Sequence, residues 1–242
     1  MRLFCQPIPR EQVSLFIIGL VLPILFTGCG GGTGVSPPPI PIDETLFVPN
    51  YVLDLNSKLY HWDHLPVRIA FDLPTNWYEL YPENTTLHTA AANEWNQPGK
   101  QALTVVVPIT SQYDVRVEFV SENGLKGGRQ GLTEYTHDTT GRMLSATIKV
   151  ALYTVQGTKL SAQGLQATIA HEIGHGIGIG GHSPYENDLM YPTLLLGNPQ
   201  FATERDLNTA MTAYPSYFTT RGIIPESRAP AGPIGVERDI IY

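Results

Sequence analysis

The stretch HEIGHGIGIGGH, residues 171–182, places three histidines and one carboxylate within twelve positions. Residues four apart on a helix lie on one face about 6 Å apart, so His171 and His175 can direct ring nitrogens at one metal ion. Glu172 lies beside them, within reach of a water at that ion but not placed as a ligand. This short pattern also arises by chance on surface helices, so its interpretation depends on the neighbouring sequence.

The neighbouring sequence predicts a core-facing helix that ends in a turn. An apolar stripe recurs at helical spacing through Leu165, Ile169 and Ile173. Gly178 can end the helix, because glycine adopts a left-handed backbone conformation without a Cβ penalty. The chain can then turn and bring His182 back as a third ligand, which leaves a fourth position open, as a catalytic zinc requires.

This segment resembles the zinc signature of the metzincin peptidases, H-E-x-x-H-x-x-G-x-x-H. The stretch DLMYP at 188–192 resembles the Met-turn of that clan. Its Met-Tyr-Pro sequence is most similar to that of the matrixins. The resemblance implies that Met190 lies beneath a zinc ion as an apolar base for the imidazoles. Pro192 stands where the astacins carry a tyrosine, so a tyrosine ligand is not expected.

The resemblance also implies a fold, a cofactor and an activity. The fold is α+β (α/β-like): a metzincin catalytic domain with a twisted mixed sheet, an antiparallel edge strand, an active-site helix and a C-terminal helix. Glu172 acts as general base and acid of a zinc-dependent endopeptidase. The implied zinc ligands are His171, His175 and His182. Calcium is compatible with the chain, but no residue pattern identifies a site for it.

Two departures from the family pattern affect the third ligand and the substrate pocket. In the family signature the last histidine falls at the position that Gly181 occupies here. His182 therefore comes one residue later than the signature predicts. We interpret it as an insertion taken up by Gly180 and Gly181, with Asp188 as the reserve ligand. Matrixins carry Pro-x-Tyr after the methionine, but Leu194 replaces that tyrosine here, so side-chain specificity cannot be transferred.

The rest of the chain predicts the order strand, helix, three strands, helix, loop, helix. Strands are expected at 65–71, 103–107, 115–120 and 143–152, and helices are expected to begin near residues 84–85, 161 and 203. By the resemblance, 143–152 is the edge strand above the cleft, to which a substrate adds as a further strand. The histidines at 61, 64, 88 and 137 are interpreted as structural.

The first 28 residues are predicted to be a lipoprotein signal peptide. Two arginines precede an apolar run from Val13 to Phe26, which is long enough for a secretory segment and too short to span a membrane. The stretch LFTGC at 25–29 resembles a bacterial lipobox, so acyl chains on Cys29 would anchor the protein to a membrane. The alternative is an ordinary signal peptide followed by an unmodified cysteine.

Composition predicts one domain between two tails. The 23 glycines and 20 prolines of the 242-residue chain gather largely near its ends. Residues 29–50 are predicted to be a Gly/Pro-rich tether, 51–215 the matrixin-like domain and 216–242 a Pro/Gly-rich tail. Cys5 and Cys29 are the only cysteines, so the mature domain has no disulfide and no thiolate ligand. That also disfavours a peptide deformylase, whose metal site needs a cysteine.

The charge balance argues against nucleic acid as a partner. Removing Arg2, Arg10 and Glu11 with the signal peptide leaves 13 basic and 21 acidic side chains, a net charge of −8. The expected partners are a protein or peptide substrate and, through Cys29, a membrane. We expect a monomer, lipid-anchored in the bacterial cell envelope at the outer membrane or cell surface, with its catalytic domain exported.

Two functions fit these observations. The first is a membrane-tethered zinc endopeptidase that acts on proteins at or outside the cell envelope. The second is a non-catalytic envelope lipoprotein that uses a metzincin fold as a binding module. Glu172 favours the first, because a degenerate site would be free to lose its general base.

Overall fold

The computed structural model describes residues 47–56, 58–98, 100–193 and 200–218, together with the backbone of 235–240. The elements in chain order are β1 (Val67–Asp72), α1 (Trp77–Leu80), α2 (Leu87–Asn93), β2 (Thr104–Val107), β3 (Val115–Asn123), β4 (Gly131–His137), β5 (Met143–Tyr153), α3 (Ala162–Gly176), α4 (Glu204–Thr212), α5 (Pro215–Phe218) and β6 (Gly235–Ile240). The predicted signal peptide, Cys29 and most of the predicted tether lie outside the described residues. None of the described helices is long and apolar enough to cross a membrane.

The strands form one mixed sheet in the order β2-β1-β3-β5-β4-β6. Strands β1, β2, β3 and β5 run parallel, while β4 is antiparallel to β5 and β6 is antiparallel to β4. The two central pairings align Ile69 with Val115 and Val115 with Ala146. All three side chains are buried, so the parallel part of the sheet lies in the core, as is usual for parallel sheets. The α+β prediction is confirmed.

The prediction that residues 143–152 form the edge strand is wrong. They form β5, which lies between β3 and β4, and Ile148 near its centre is fully buried. The error arises because the sequence pattern does not predict β4 at all. The inward positions of β4 are Gly131, Thr133 and Tyr135, which do not make the apolar row that identifies a strand.

Helix α3 forms as its sequence predicts. The hydroxyl of Ser161 accepts a hydrogen bond from the backbone N–H of Gly164 at 3.1 Å, a cap that stabilises a helix by about 1 kcal/mol. The predicted stripe of Leu165, Ile169 and Ile173 is fully buried. Each such side chain contributes about 1.5–3 kcal/mol relative to an exposed one. Glu172 and the two histidines of α3 are fully buried as well, so the C-terminal half of the helix is enclosed by the rest of the domain.

The C-terminal part departs from the sequence prediction. Helix α4 begins after Thr203, as expected, and Thr203 forms a capping box with Asp206. Beyond α5 the sequence predicts a tail without regular structure, whereas the backbone of 235–240 forms β6 on the outer side of β4. The stretch GVERDI has consecutive charged residues and no alternation, so the usual strand signal is missing.

Candidate active site

Three histidines converge on one point at the end of α3. The candidate ligand atoms of His171, His175 and His182 all lie within 4.8 Å of one another. The Nε2 atoms of His171 and His175 are 3.1 Å apart, and the ring centroid of His182 lies 5.3 and 5.0 Å from those of the other two. The extra residue at Gly181 therefore does not separate His182 from the pair. We call these three side chains the histidine cluster.

Backbone carbonyls orient two rings of the histidine cluster. Nδ1 of His171 lies 2.7 Å from the carbonyl oxygen of Leu189, and Nδ1 of His175 lies 2.8 Å from that of Ile179. A carbonyl oxygen only accepts, so Nδ1 carries the hydrogen and Nε2 of a neutral ring is left with its lone pair. Metal-binding histidines typically have this arrangement, with one ring N–H held by a carbonyl and the other nitrogen presented to the ion.

Burial keeps His171 and His182 uncharged. Burial lowers the pKa of His171 well below its ordinary value, and the nearby rings of His175 and His182 lower it further. Burial, followed by the effect of His175, lowers the pKa of His182 to about 3. At neutral pH both rings are therefore in the unprotonated form that binds a metal.

The histidine cluster fits a zinc ion. Nε2 of His182 is buried and has no hydrogen-bond partner among the described residues. A buried polar atom without a partner costs about 1–3 kcal/mol, which a bound cation would relieve. Three imidazole donors suit zinc, and they leave one position of a four-coordinate ion for a reacting group. No thiolate or carboxylate is needed to complete the set.

A glycine turn brings His182 to the cluster. Gly178 has φ +124°, and a Cβ there would collide with the backbone carbonyl of Tyr60. The segment before β1 holds this turn from outside: the N–H of Tyr60 donates to Gly178 at 2.7 Å, and the N–H of Gly180 donates to Lys58 at 2.8 Å. The sequence predicts the turn at Gly178, but it does not predict this contact with a segment more than a hundred residues earlier.

Asp188 is occupied elsewhere and does not serve as the reserve ligand. Its buried carboxylate accepts from Arg205 at 2.7 and 3.0 Å, from Ser183 at 2.6 Å and from Thr203 at 2.8 Å. Together with Asp206 these side chains form what we call the carboxylate cluster.

The carboxylate cluster fixes the Met-turn. Asp206 accepts from the backbone N–H of Leu189 at 2.8 Å and from that of Met190 at 3.3 Å. The carbonyl of the same Leu189 orients His171. Met190 is fully buried, with its sulfur against Gly174 in the last turn of α3. Met190 thus supports the helix that carries two of the histidines.

Glu172 is fully buried and faces β4. The hydroxyl of Thr133 donates to its carboxylate and lies 3.1 Å from its backbone oxygen. Gly131 leaves room for the same carboxylate, because a Cβ at that position would overlap it. Sequence reasoning missed both Thr133 and Gly131. The signal that could have found them is the spacing of two in Gly131, Thr133 and Tyr135, which places them on one face of a strand.

A mixed sheet, a helix with two histidines, a glycine turn to a third and a buried methionine turn together define a metzincin-type domain. The sequence model of the matrixin family matches residues 77–214, which is 138 of the 242 residues. The chain therefore belongs to the matrixin family, a family of zinc metallopeptidases, as the resemblance implies. No curated protein sequence matches the chain. The family match begins after the segment at residues 58–60 that holds the glycine turn.

Proposed function

We propose that this matrixin-family protein is a zinc-dependent endopeptidase that hydrolyses peptide bonds in proteins. The observation that carries the proposal is the position of Glu172. Its buried carboxylate lies on the same helix as His171 and His175, and it is held by Thr133 from the neighbouring strand. A carboxylate that follows one metal-binding histidine in the helix and is fixed by a neighbouring strand can act as the proton carrier of a metal-assisted hydrolysis.

The zinc would be held by His171, His175 and His182. When bound, it acts as a Lewis acid that lowers the pKa of water to about 7 and polarises a carbonyl. Glu172 accepts a proton from the attacking water as the new C–O bond forms. It then delivers that proton to the nitrogen as the C–N bond breaks, so one water is consumed for each bond cleaved. The hydroxyl of Thr133 holds the carboxylate in place between these two proton transfers.

The substrate would bind as an extended strand along the outer edge of β4. This strand touches the general base through Thr133, so a peptide paired to it would pass Glu172. Strand addition uses backbone hydrogen bonds, which tolerate many side chains. Protein substrates of varied sequence are therefore expected.

We also propose that the domain acts at the bacterial cell envelope. The support is the apolar run at 13–26 followed by the lipobox-like stretch that ends at Cys29. Cells that express the chain and are fed a labelled fatty acid should incorporate the label, and the Cys29→Ser variant should not. Label in that variant would contradict the anchor at Cys29.

The decisive test of the mechanism replaces the general base alone. Glu172→Ala should lower casein cleavage by about 10²–10⁴-fold, the usual contribution of general acid–base catalysis. Zinc content should stay at one per chain, because the ligands are intact. Glu186→Ala, which removes an exposed carboxylate outside the site, is the matched control and should cleave casein as the parent does. Equal cleavage by Glu172→Ala and the parent would rule out the mechanism. Zinc binding without cleavage of any protein by the parent would favour the binding-module function.

A further inference from the structure

We propose that β6, the C-terminal strand of this chain, is an internal competitor that occupies the edge of β4 where a substrate would bind. The consequence for activity rests on the proposed function, but the occupancy of the edge does not.

Both edges of β4 are occupied. One edge pairs with β5, and the other pairs antiparallel with β6 from Leu132 opposite Ile240 to His137 opposite Gly235. The β6 pairing runs over six consecutive residue pairs with no shift of register. A strand edge has one row of N–H and C=O groups, so it pairs with one further strand at a time.

The pairing includes the residue that touches the general base. Thr133, whose hydroxyl donates to Glu172, lies opposite Asp239 in β6. A substrate strand that passes Glu172 along β4 would need the backbone groups that Asp239 and its neighbours now face. Substrate and β6 therefore exclude each other at this part of the edge.

A competitor on the same chain is effective even when its intrinsic affinity is weak. A tethered segment has an effective concentration of about a millimolar. If β6 as a free peptide binds with a Kd near 0.1 mM, the tethered strand raises the apparent KM about tenfold. It leaves kcat unchanged, because once a substrate has displaced β6 the site is the same.

The test disrupts the pairing of β6 in the full chain. The double variant Glu237→Pro, Arg238→Pro removes two consecutive backbone N–H groups of β6. The N–H groups of adjacent strand residues point to opposite sides, so one of the two lost N–H groups faces β4. The matched control Glu237→Ala, Arg238→Ala changes the same side chains and keeps both N–H groups. Thermal unfolding of both variants establishes that the domain remains folded.

The first measurement does not depend on catalysis. A fluorescent peptide with the sequence of residues 234–242, IGVERDIIY, is added to chains that also carry Glu172→Ala, and its anisotropy is followed. The proline variant should bind the peptide, while the alanine control and the parent should bind it at least tenfold more weakly. Equal binding by all three chains, or by none, would overturn the proposal.

The second measurement is kinetic, with Glu172 intact. The proline variant should show a KM for a peptide substrate about tenfold below that of the alanine control, with the same kcat. An equal fall in KM for both variants would mean that side chains cause the inhibition, which contradicts a backbone competitor. If the proline variant binds the labelled peptide but no chain cleaves any substrate, the proposed function fails and the occupancy of the edge stands.

A cross-link gives an independent route if the proline variant does not fold. Thr136 and Val236 are opposite each other, and the variant Thr136→Cys, Val236→Cys, Cys29→Ser allows a disulfide between the two strands. The oxidised chain should neither bind the labelled peptide nor cleave, and a reducing agent should restore activity to the parent level. Full activity of the oxidised, cross-linked chain would contradict the proposal.

Discussion

The histidine cluster and the carboxylate cluster are neighbours, and both are built from buried polar side chains, but they use their polar atoms in opposite ways. In the carboxylate cluster, Asp188 and Asp206 both accept several hydrogen bonds from the protein. In the histidine cluster, the Nδ1 atoms of His171 and His175 are held by carbonyls, and Nε2 of His182 has no partner among the described residues. The first pattern is that of a structural network, and the second is that of a prepared binding site.

The largest expected effect comes from removing one nitrogen of the histidine cluster. His182→Ala should lose stoichiometric zinc and at least 10³-fold in casein cleavage, because two imidazoles alone hold zinc weakly. Metal analysis of the purified chain and a cleavage assay measure both effects. His88→Ala, a histidine on α2 outside the cluster, is the control and should keep its zinc. Full zinc content in His182→Ala would show that the third ligand lies elsewhere.

Removing the metal should have the next largest effect, and it acts on stability. A ligand present at 1,000 times its Kd stabilises the folded state by about 4 kcal/mol, so a chelator should lower the unfolding temperature by roughly 10 °C. Calorimetry with and without a chelator measures this shift. The Glu172→Ala variant should show the same shift as the parent, whereas His182→Ala should show little of it. If the chelator does not change the unfolding temperature of the parent chain, that result would contradict a zinc site at the histidine cluster.

Breaking the carboxylate cluster should affect stability rather than chemistry. Asp206→Ala leaves the N–H groups of Leu189 and Met190 without their acceptor, which should lower the free energy of unfolding by about 3 kcal/mol. Urea unfolding measures the loss. Asp206→Asn keeps one acceptor oxygen and should lose less. Folded molecules of both variants should still bind one zinc, and loss of zinc from them would show that Asp206 belongs functionally to the histidine cluster.

The smallest expected effect concerns the hydroxyl that holds Glu172. Thr133→Val keeps the shape of the side chain and removes the donor, so kcat should fall about tenfold, which corresponds to about 1.4 kcal/mol. Thr133→Ser retains the hydroxyl and should stay within about twofold of the parent. A peptide assay that resolves kcat from KM separates this from a defect in substrate binding. Equal losses in the serine and valine variants would mean that Thr133 contributes packing only.

The features that the sequence predicts are those with local signals. The cap at Ser161, the stripe of Leu165, Ile169 and Ile173, and the turn at Gly178 all depend on residues close in sequence. The pair His171 and His175 needs only the geometry of one helix. The approach of His182 follows once the chain is known to turn at Gly178, just after α3, even with one extra residue in the turn.

The features that the sequence does not predict depend on pairings between distant segments. Strand β4 has Gly131 and Thr133 on its inner face because Glu172 of α3 takes the space there, and that contact joins residues 39 apart. The hydrogen bond between Tyr60 and Gly178 and the pairing of β6 with β4 are made by backbone groups. Every residue type except proline has both of these groups, so the contacts do not require a particular side chain that the sequence would reveal. The prediction of the edge strand therefore falls on β5, which lies two positions from the edge strand β6.

Leu189 joins the two clusters, since its N–H donates to Asp206 and its carbonyl accepts from His171. Asp206 also accepts from the hydroxyl of Tyr51, a residue 155 positions earlier. A contact of such long sequence separation requires that a long loop be closed, which costs conformational entropy. The carbonyl that orients His171 is therefore held through Asp206 by contacts from distant parts of the chain. The orientation of the histidine cluster is thus a property of the whole domain and not of helix α3 alone.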